Sequence, residues 1–202
     1  MGSMTSPRII LASRSPRRRM LLEEAGWEVE VVLGQVDDGV LSAEQTGPAE
    51  WTTAMAWLKA RAARDIADQE GSGLEQLPII AGDTVCEQDG VLIGQPGDAA
   101  EATAMIRGFR SGSHRVWTGL CLLLPGEDRR IGAEFAEVWL GDVSDADIEA
   151  YVASEVWRGK AGGYNLSDRL DADWPIRYEG HPSTIMGLSL PLLERLLKSE
   201  PV

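Results

Sequence analysis

An α/β fold built on a mixed sheet is the expectation for this 202-residue chain. Strand-like and helix-like segments alternate along it without a repeat period or a low-complexity tract. Two long β-rich runs, 116–124 and 131–140, are joined by the polar turn Pro125-Gly126-Glu127-Asp128. The alternation favours strands covered by helices, and a tightly joined strand pair must run antiparallel, so the sheet is expected to be mixed.

The elements follow in chain order. Ile9-Ile10-Leu11 reads as a short buried strand, 12–15 as a small-residue loop, and Pro16 as the first position of a helix capped by Ser15. Gly26 stops that helix, and 28–33 alternates as a second strand. A loop with Asp37, Asp38 and Gly39 leads to a helix over 48–68, whose Trp51, Met55, Leu58, Ala62 and Ile66 recur at helical spacing as a core stripe. Gly71-Ser72-Gly73 reads as a linker. The run 77–81 reads as a buried strand ending at Gly82-Asp83-Thr84, and Asp89-Gly90 as a hairpin turn. Asp98 with Glu101 and Ser144 with Asp147 resemble capping boxes of two further helices.

Hydrophobic residues at 44% and charged residues at 25% suit a globular chain with a substantial core. A net charge of −13 argues against a nucleic-acid polymer as partner, because such binding neutralises many phosphates. The arginines at 14, 17, 18 and 19 are a local exception that suits a small anion better. Cys86 and Cys121 lie in apolar strand-like settings and read as buried thiols rather than a disulfide. With no run of about 18 apolar residues and no charged-then-apolar leader, the expectation is a cytoplasmic protein without a membrane span. Met1-Gly2-Ser3 ahead of Met4 reads as a cloning scar.

Three places carry chemistry. The loop before Pro16 leaves backbone N–H groups at a helix start, and the arginines there oppose the helix dipole unless an anion is bound; a solvated basic turn is the alternative. Their expected role is therefore in ligand binding more than in stability. Asp83 beside Gly82 faces a crevice where a carboxylate can hold a divalent ion or accept a proton from water, or simply satisfy a turn. Lys160, among Gly159, Gly162 and Gly163, can meet a phosphate as a point charge or sit on the surface. His114 and His181 lack zinc-ligand spacing.

LASRSPRR, AGDTV, IGQP, KAGGYNL and the closing GHPSTIMGLSLPLLERLL occur together and in order over nearly the whole chain. In this the chain resembles the Maf-type nucleoside triphosphate pyrophosphatases, also called septum formation inhibitor proteins. The resemblance implies an elongated mixed-sheet fold, with residues 4–202 as one domain of two lobes around a central cleft. It implies hydrolysis of a nucleoside triphosphate to monophosphate and pyrophosphate with magnesium, or manganese or cobalt, in nucleotide-pool house-cleaning. Homodimers occur among such proteins. Carried onto this sequence, Ser13, Arg17 and Arg18 match the phosphate loop, Asp83 the proton acceptor, and Lys160 the lysine of a DKAG segment whose aspartate is here Gly159. Asp38 falls at a usual glutamate and joins Asp83 as metal ligand. Arg17 and Thr84 match positions tied to thymidine or uridine triphosphate selection.

Three departures stand beside these matches. Ala62 takes the place of a lysine on the long helix, with Lys59, Arg61 and Arg64 nearby. Gln95 replaces the lysine of a GKP segment, and Ser167 replaces a base-reading glutamine. Missing cations leave a rival reading open, a nucleotide-binding or regulatory protein with little turnover.

Overall fold

A computed structural model describes residues 6–36, 46–126 and 128–199. Among these, seven strands form one sheet: β1 (Arg8–Leu11), β2 (Glu28–Val31), β3 (Ile79–Gln88), β4 (Val91–Ile93), β5 (Gly112–Leu123), β6 (Arg129–Leu140) and β7 (Ile176–Glu179). The helices are α1 (Pro16–Glu24), α2 (Pro48–Glu70), α3 (Ala99–Phe109), α4 (Asp145–Ala153), α5 (Leu166–Leu170), α6 (Pro182–Ile185) and α7 (Leu190–Lys198). Strand order is β2-β1-β3-β5-β6-β7, with β4 against β3. β1 runs parallel to β2 and β3, and the remaining pairs are antiparallel, so the sheet is mixed as expected. No helix among the described residues is long and apolar enough to cross a membrane.

Both faces of the β1 end are covered, which is why Ile9, Ile10 and Leu11 form an unbroken apolar run. Ile9, Leu11, Ile80, Leu120 and Leu122 pack against Leu21 and Leu22 of α1 and Leu192, Leu193 and Leu196 of α7. Ile10, Ile79, Ala81, Cys121 and Leu123 face α2. A third cluster, with Phe109, Val116, Val138, Tyr151 and Trp157, fills the other end of the sheet beneath α3 and α4. Leu21 and Leu22 hold α1 in place, since each buried leucine contributes about 1.5–3 kcal/mol, more than the ~0.3–1 kcal/mol cost of each misplaced arginine.

The α2 stripe differs from expectation. Thr52, Met55, Ala56, Ala60, Ala63 and Ala67 are buried, whereas Trp51, Leu58, Ala62 and Ile66 are half-buried. Small residues win because the helix lies almost on the backbone of the sheet: a Cβ on Gly119 would come within 2.4 Å of the Thr52 carbonyl carbon.

β3 is also longer than predicted. Gly82 does not end it, because nine consecutive residues from Ile79 to Glu87 pair with β5. On its other edge β3 meets β1 only at Ile79 and Ile80, and β4 only from Cys86 to Gln88. Residues 81–85 therefore have a strand on one side alone, and this gap sets the position of the site. The Asp89-Gly90 turn has φ of 53° and 81°, as a tight two-residue hairpin requires. Both N-caps form, with Asp98 accepting from the Glu101 amide at 2.8 Å and Ser144 from the Asp147 amide at 3.1 Å, but the return bonds go elsewhere, from the Gly97 amide to Glu101 and from the Ser144 hydroxyl to Asp147.

Candidate active site

A cavity of about 820 Å³ opens at the gap in β3 and is lined by the 12–18 loop, α2, β3 and the 158–166 segment. Side-chain alternation along β3 delivers two different groups to it. Asp83 shares the face of Ile79 and Ala81, toward α2, and Thr84 shares the face of Ile80, toward α1 and α7.

On the α2 side, Lys59 Nζ donates to Asp83 Oδ1 at 2.5 Å, with both side chains largely buried. Lys59 supplies the cation expected to be missing at position 62. Ala62 lies one turn further on and packs under Gly34, where an added Cβ would meet the Ala62 Cβ at 2.3 Å, so this position is a helix-to-loop contact. Arg64 is also turned away, donating to the carbonyls of Glu75 at 2.8 Å and Leu77 at 2.9 Å. Arg61 pairs with Asp65.

On the α1 side, Arg18 is a strut. Its Nε donates to the Gly187 carbonyl at 2.7 Å, Nη1 to Ser13 Oγ at 3.1 Å and Nη2 to Thr84 Oγ1 at 3.1 Å. Thr118 Oγ1 donates its one proton to the Thr184 carbonyl at 2.7 Å, so the 3.0 Å Thr84–Thr118 bond must carry the Thr84 proton. Gly187, at φ 99°, allows the close approach: a Cβ there would lie 3.2 Å from Thr84 Oγ1 and 3.3 Å from Arg18 Nε. Burial lowers the Arg18 pKa, and the Asp83 charge opposes that shift. Three parts of the fold converge on Arg18, which the helix dipole alone did not indicate.

Ser15 caps α1 as predicted, accepting from the Arg18 amide at 3.4 Å, and its own amide donates to Ser13 Oγ at 3.2 Å. Arg17 projects into the cavity without a hydrogen bond or ion pair among the described residues. Burial lowers its pKa, partly offset by the negative charge of Asp168. Lys160 lines the same cavity and donates to the Val156 carbonyl; burial, then the positive charge of Arg17, lowers its pKa. Gln95 is on the rim, exposed. Ser167 lies on α5 and does not line the cavity, while Asn165 does. Asp37 and Asp38 lie outside the described residues.

Cys86 and Cys121 are buried free thiols, and burial pushes both pKa values up to about 12, which keeps them unreactive. His114 is committed to the wall behind the cavity, its Nε2 2.8 Å from Tyr164 Oη and its ring stacked on Phe109 at 3.9 Å.

Sequence reasoning missed Asn165 and named Lys59 without choosing it. Lys59 was one of three nearby cations with no signal to choose it, until the facing residue on β3 was known.

Residues 8–200 match the model of a family described as Maf-like protein. A dTTP/UTP pyrophosphatase of Salinibacter ruber is 38% identical over 95% of this chain and 90% of its own. One from Deinococcus radiodurans is 36% identical over 100% and 97%. A nucleoside triphosphate pyrophosphatase of Streptomyces coelicolor is 36% identical over 94% and 89%. Among solved structures, a HAM1 protein from Coxiella burnetii aligns over 95% of this chain and 98% of that one, with a TM-score of 0.47 and 17% identity.

Proposed function

The chain belongs to the Maf-like protein family, and from that premise we propose that it hydrolyses pyrimidine nucleoside triphosphates of the dTTP and UTP type to the monophosphate and pyrophosphate. The observation that carries this reading is the Lys59–Asp83 pair set across one cavity from Arg17, Ser13 and the amides at the start of α1. Such a cavity binds a polyanion on one side and presents a carboxylate on the other.

In this reading Arg17, Lys59, Lys160 and the loop amides bind the phosphates, and Arg18 holds Ser13 and Thr84 in place as their support. Asp83 accepts the proton as water attacks the α-phosphorus; the new P–O bond forms while the bond to the β-phosphate oxygen breaks, and pyrophosphate leaves. Lys59 on Oδ1 holds the carboxylate in place, with the second oxygen available to water.

Asp83 is the one carboxylate among the described residues that line the cavity. Among the described residues no group of three or more His, Cys, Asp or Glu side chains is clustered to hold one. Magnesium needs no such cage, because it takes one or two carboxylates and completes its shell with water and substrate phosphates. Asp83 would hold it, with Asp38 as a second ligand. When bound, the ion neutralises charge on the phosphate oxygens.

The test is product analysis with UTP, dTTP and purine triphosphates in the presence of magnesium or manganese. Pyrophosphate with the monophosphate is expected, fastest from UTP and dTTP. Orthophosphate would overturn attack at the α-phosphorus, and equal rates for all bases would overturn the pyrimidine preference. Asp83→Asn keeps the shape and removes the base, so kcat should fall by about 10²- to 10⁴-fold in a folded protein. Undiminished turnover would remove Asp83 from the mechanism.

A further inference from the structure

The cavity is far more basic than the chain around it. The protein carries a net charge of −13, yet Arg14, Arg17, Arg18, Lys59, Arg158 and Lys160 line the cavity, against Asp83 as the one carboxylate among the described residues there. Arg14 and Arg158 are the two cations that the proposed reaction does not use, and Arg158 is the one held in place.

Trp157 and Glu155 do the holding. The Arg158 guanidinium lies 4.7 Å from the centre of the Trp157 ring, and Trp157 is itself 1% exposed, its Nε1 donating to the Val152 carbonyl at 2.9 Å. Arg158 Nη2 donates to Glu155 Oε1 at 2.7 Å, and its amide donates to the Glu155 carbonyl at 3.1 Å. Glu155 has φ of 56°, in the left-handed region that a side chain with a Cβ enters at a cost. The Lys160 amide closes the turn on the Trp157 carbonyl at 3.2 Å. One short turn thus brings two cations to the same cavity, an arrangement that repels itself until an anion enters.

Stacking and pairing alone do not make a site. Arg177 lies 3.9 Å over the Trp139 ring and pairs with Glu179 at 3.4 Å, but it does not line the cavity. Position separates the two arginines. Asp83 and Lys59 are deep in the cavity, with side chains 15% and 28% exposed, whereas Arg158 is 56% exposed at its mouth. With the α-phosphorus beside Asp83, one end of the substrate must extend toward that mouth, and the guanidinium fork suits the charged end. An exposed carboxylate–arginine pair is weak, so a phosphate readily displaces Glu155 from it.

We propose that Arg158 binds the β- and γ-phosphates, the pyrophosphate that leaves, and that Glu155 holds the guanidinium over Trp157 until the substrate arrives. This deepens the triphosphate reading and rests on it.

The experiment measures kcat and KM for UTP with magnesium, and inhibition by pyrophosphate and by UMP, in the wild type, Arg158→Ala, Arg158→Gln and Arg177→Ala. Arg158→Ala should raise the KM for UTP and the inhibition constant of pyrophosphate about tenfold, the scale of a hydrogen bond to a charged group. UMP lacks the phosphates in question, so its inhibition constant should stay within about twofold. Arg158→Gln keeps a side chain over Trp157 and removes the charge, so it should match alanine; it also gives the same readout if the alanine variant does not fold. Arg177→Ala should leave all three constants unchanged. Equal weakening of pyrophosphate and UMP would overturn the assignment, because Arg158 would then only support the fold. So would an unchanged pyrophosphate constant in both Arg158 variants, or the same shift in Arg177→Ala, which would reduce the effect to net charge. Wild-type protein that releases no pyrophosphate from UTP would instead break the parent reading. Calorimetric titration with pyrophosphate would then still test Arg158, with weaker binding in its variants expected and unchanged binding overturning the proposal.

Discussion

The two walls of the cavity are built on opposite plans. Around Arg18 the polar groups are joined to one another: Ser13, Thr84, Thr118, the Thr184 carbonyl and the Gly187 carbonyl form one chain of hydrogen bonds through the guanidinium and two hydroxyls. In the wall formed by the 164–166 segment, Asn165 Oδ1 is buried without a partner among the described residues, and so is Nδ1 of His114 behind it. The first wall is complete without a ligand. The second carries unsatisfied groups whose cost a bound molecule or ordered water would offset. The contrast separates a preformed side around Arg18 from a side that a bound molecule or water would complete.

The largest way to disturb this contrast is acid. His114 is 2% exposed, and burial pulls its pKa from 6.5 down to about 4. Below pH 6.5 the unfolded chain therefore takes up a proton that the native protein refuses, so stability falls as the pH drops from 6.5 toward 4 and levels off below that. The full span is about 3 kcal/mol at 1.36 kcal/mol per pKa unit. Because His114 meets Tyr164, the loss acts on the 164–166 side of the cavity. Urea unfolding at pH 7, 5.5 and 4.5 should show His114→Gln with a flatter pH dependence than the wild type over this window. Parallel curves would show that His114 does not drive the acid sensitivity.

The neighbouring arginines sharpen the comparison next. Arg18→Ala removes three charge-assisted hydrogen bonds and strands the Gly187 carbonyl, so about 2–3 kcal/mol of stability should be lost along with turnover. Arg17→Ala removes a side chain that makes no hydrogen bond or ion pair among the described residues, and stability should stay within about 0.5 kcal/mol while the KM for triphosphate rises. Thermal melts and initial rates on both variants decide it. Equal shifts in Tm would erase the distinction between strut and ligand-binding group.

Local chemistry was legible in the sequence wherever neighbours in the chain determine the outcome. Ser15 before Pro16, Asp89-Gly90, and Asp98 as a cap accepting from the Glu101 amide each act within a few residues, and each formed as read. Contacts between distant segments were not legible. The burying face of α2 was read correctly at Met55 but misassigned at Trp51, Leu58, Ala62 and Ile66, because its apolar residues suggest one stripe while the nearness of Gly119 favours the small residues of another. Asp83 was placed at a strand end because Gly82 looks like a stop, and only pairing with β5 carries the strand past it. Arg18 was read from the helix dipole alone, since its partners Thr84 and Gly187 lie 66 and 169 residues away. The 12–18 loop and Asp83 could be singled out from the chain as cavity residues, but the Lys59–Asp83 pairing needed the packing of α2.

The smallest expected effect concerns the two positions where lysines were thought to be missing, and they should now part company. Gln95 is exposed on the cavity rim, so Gln95→Lys adds a cation with room to reach a phosphate and no packing to disturb. Two charges at 4 Å attract by about 4 kcal/mol at an effective dielectric of about 20, but exposure, ordering of the side chain and salt reduce such pairs to about 0.2–1 kcal/mol. That surplus in the transition state corresponds to a rise in kcat/KM of up to about fivefold, shrinking as salt is added. Ala62→Lys should behave in the opposite way. Its Cβ already meets the backbone of Gly34, so a longer side chain must displace the 32–34 segment, at a cost of about 1–3 kcal/mol in stability and with no gain in rate. Kinetics at low and high salt, with a melt for each variant, check both. Faster turnover from Ala62→Lys with unchanged stability would mean that α2 presents a second phosphate-facing position beside Lys59, and that the packing against Gly34 does not constrain it.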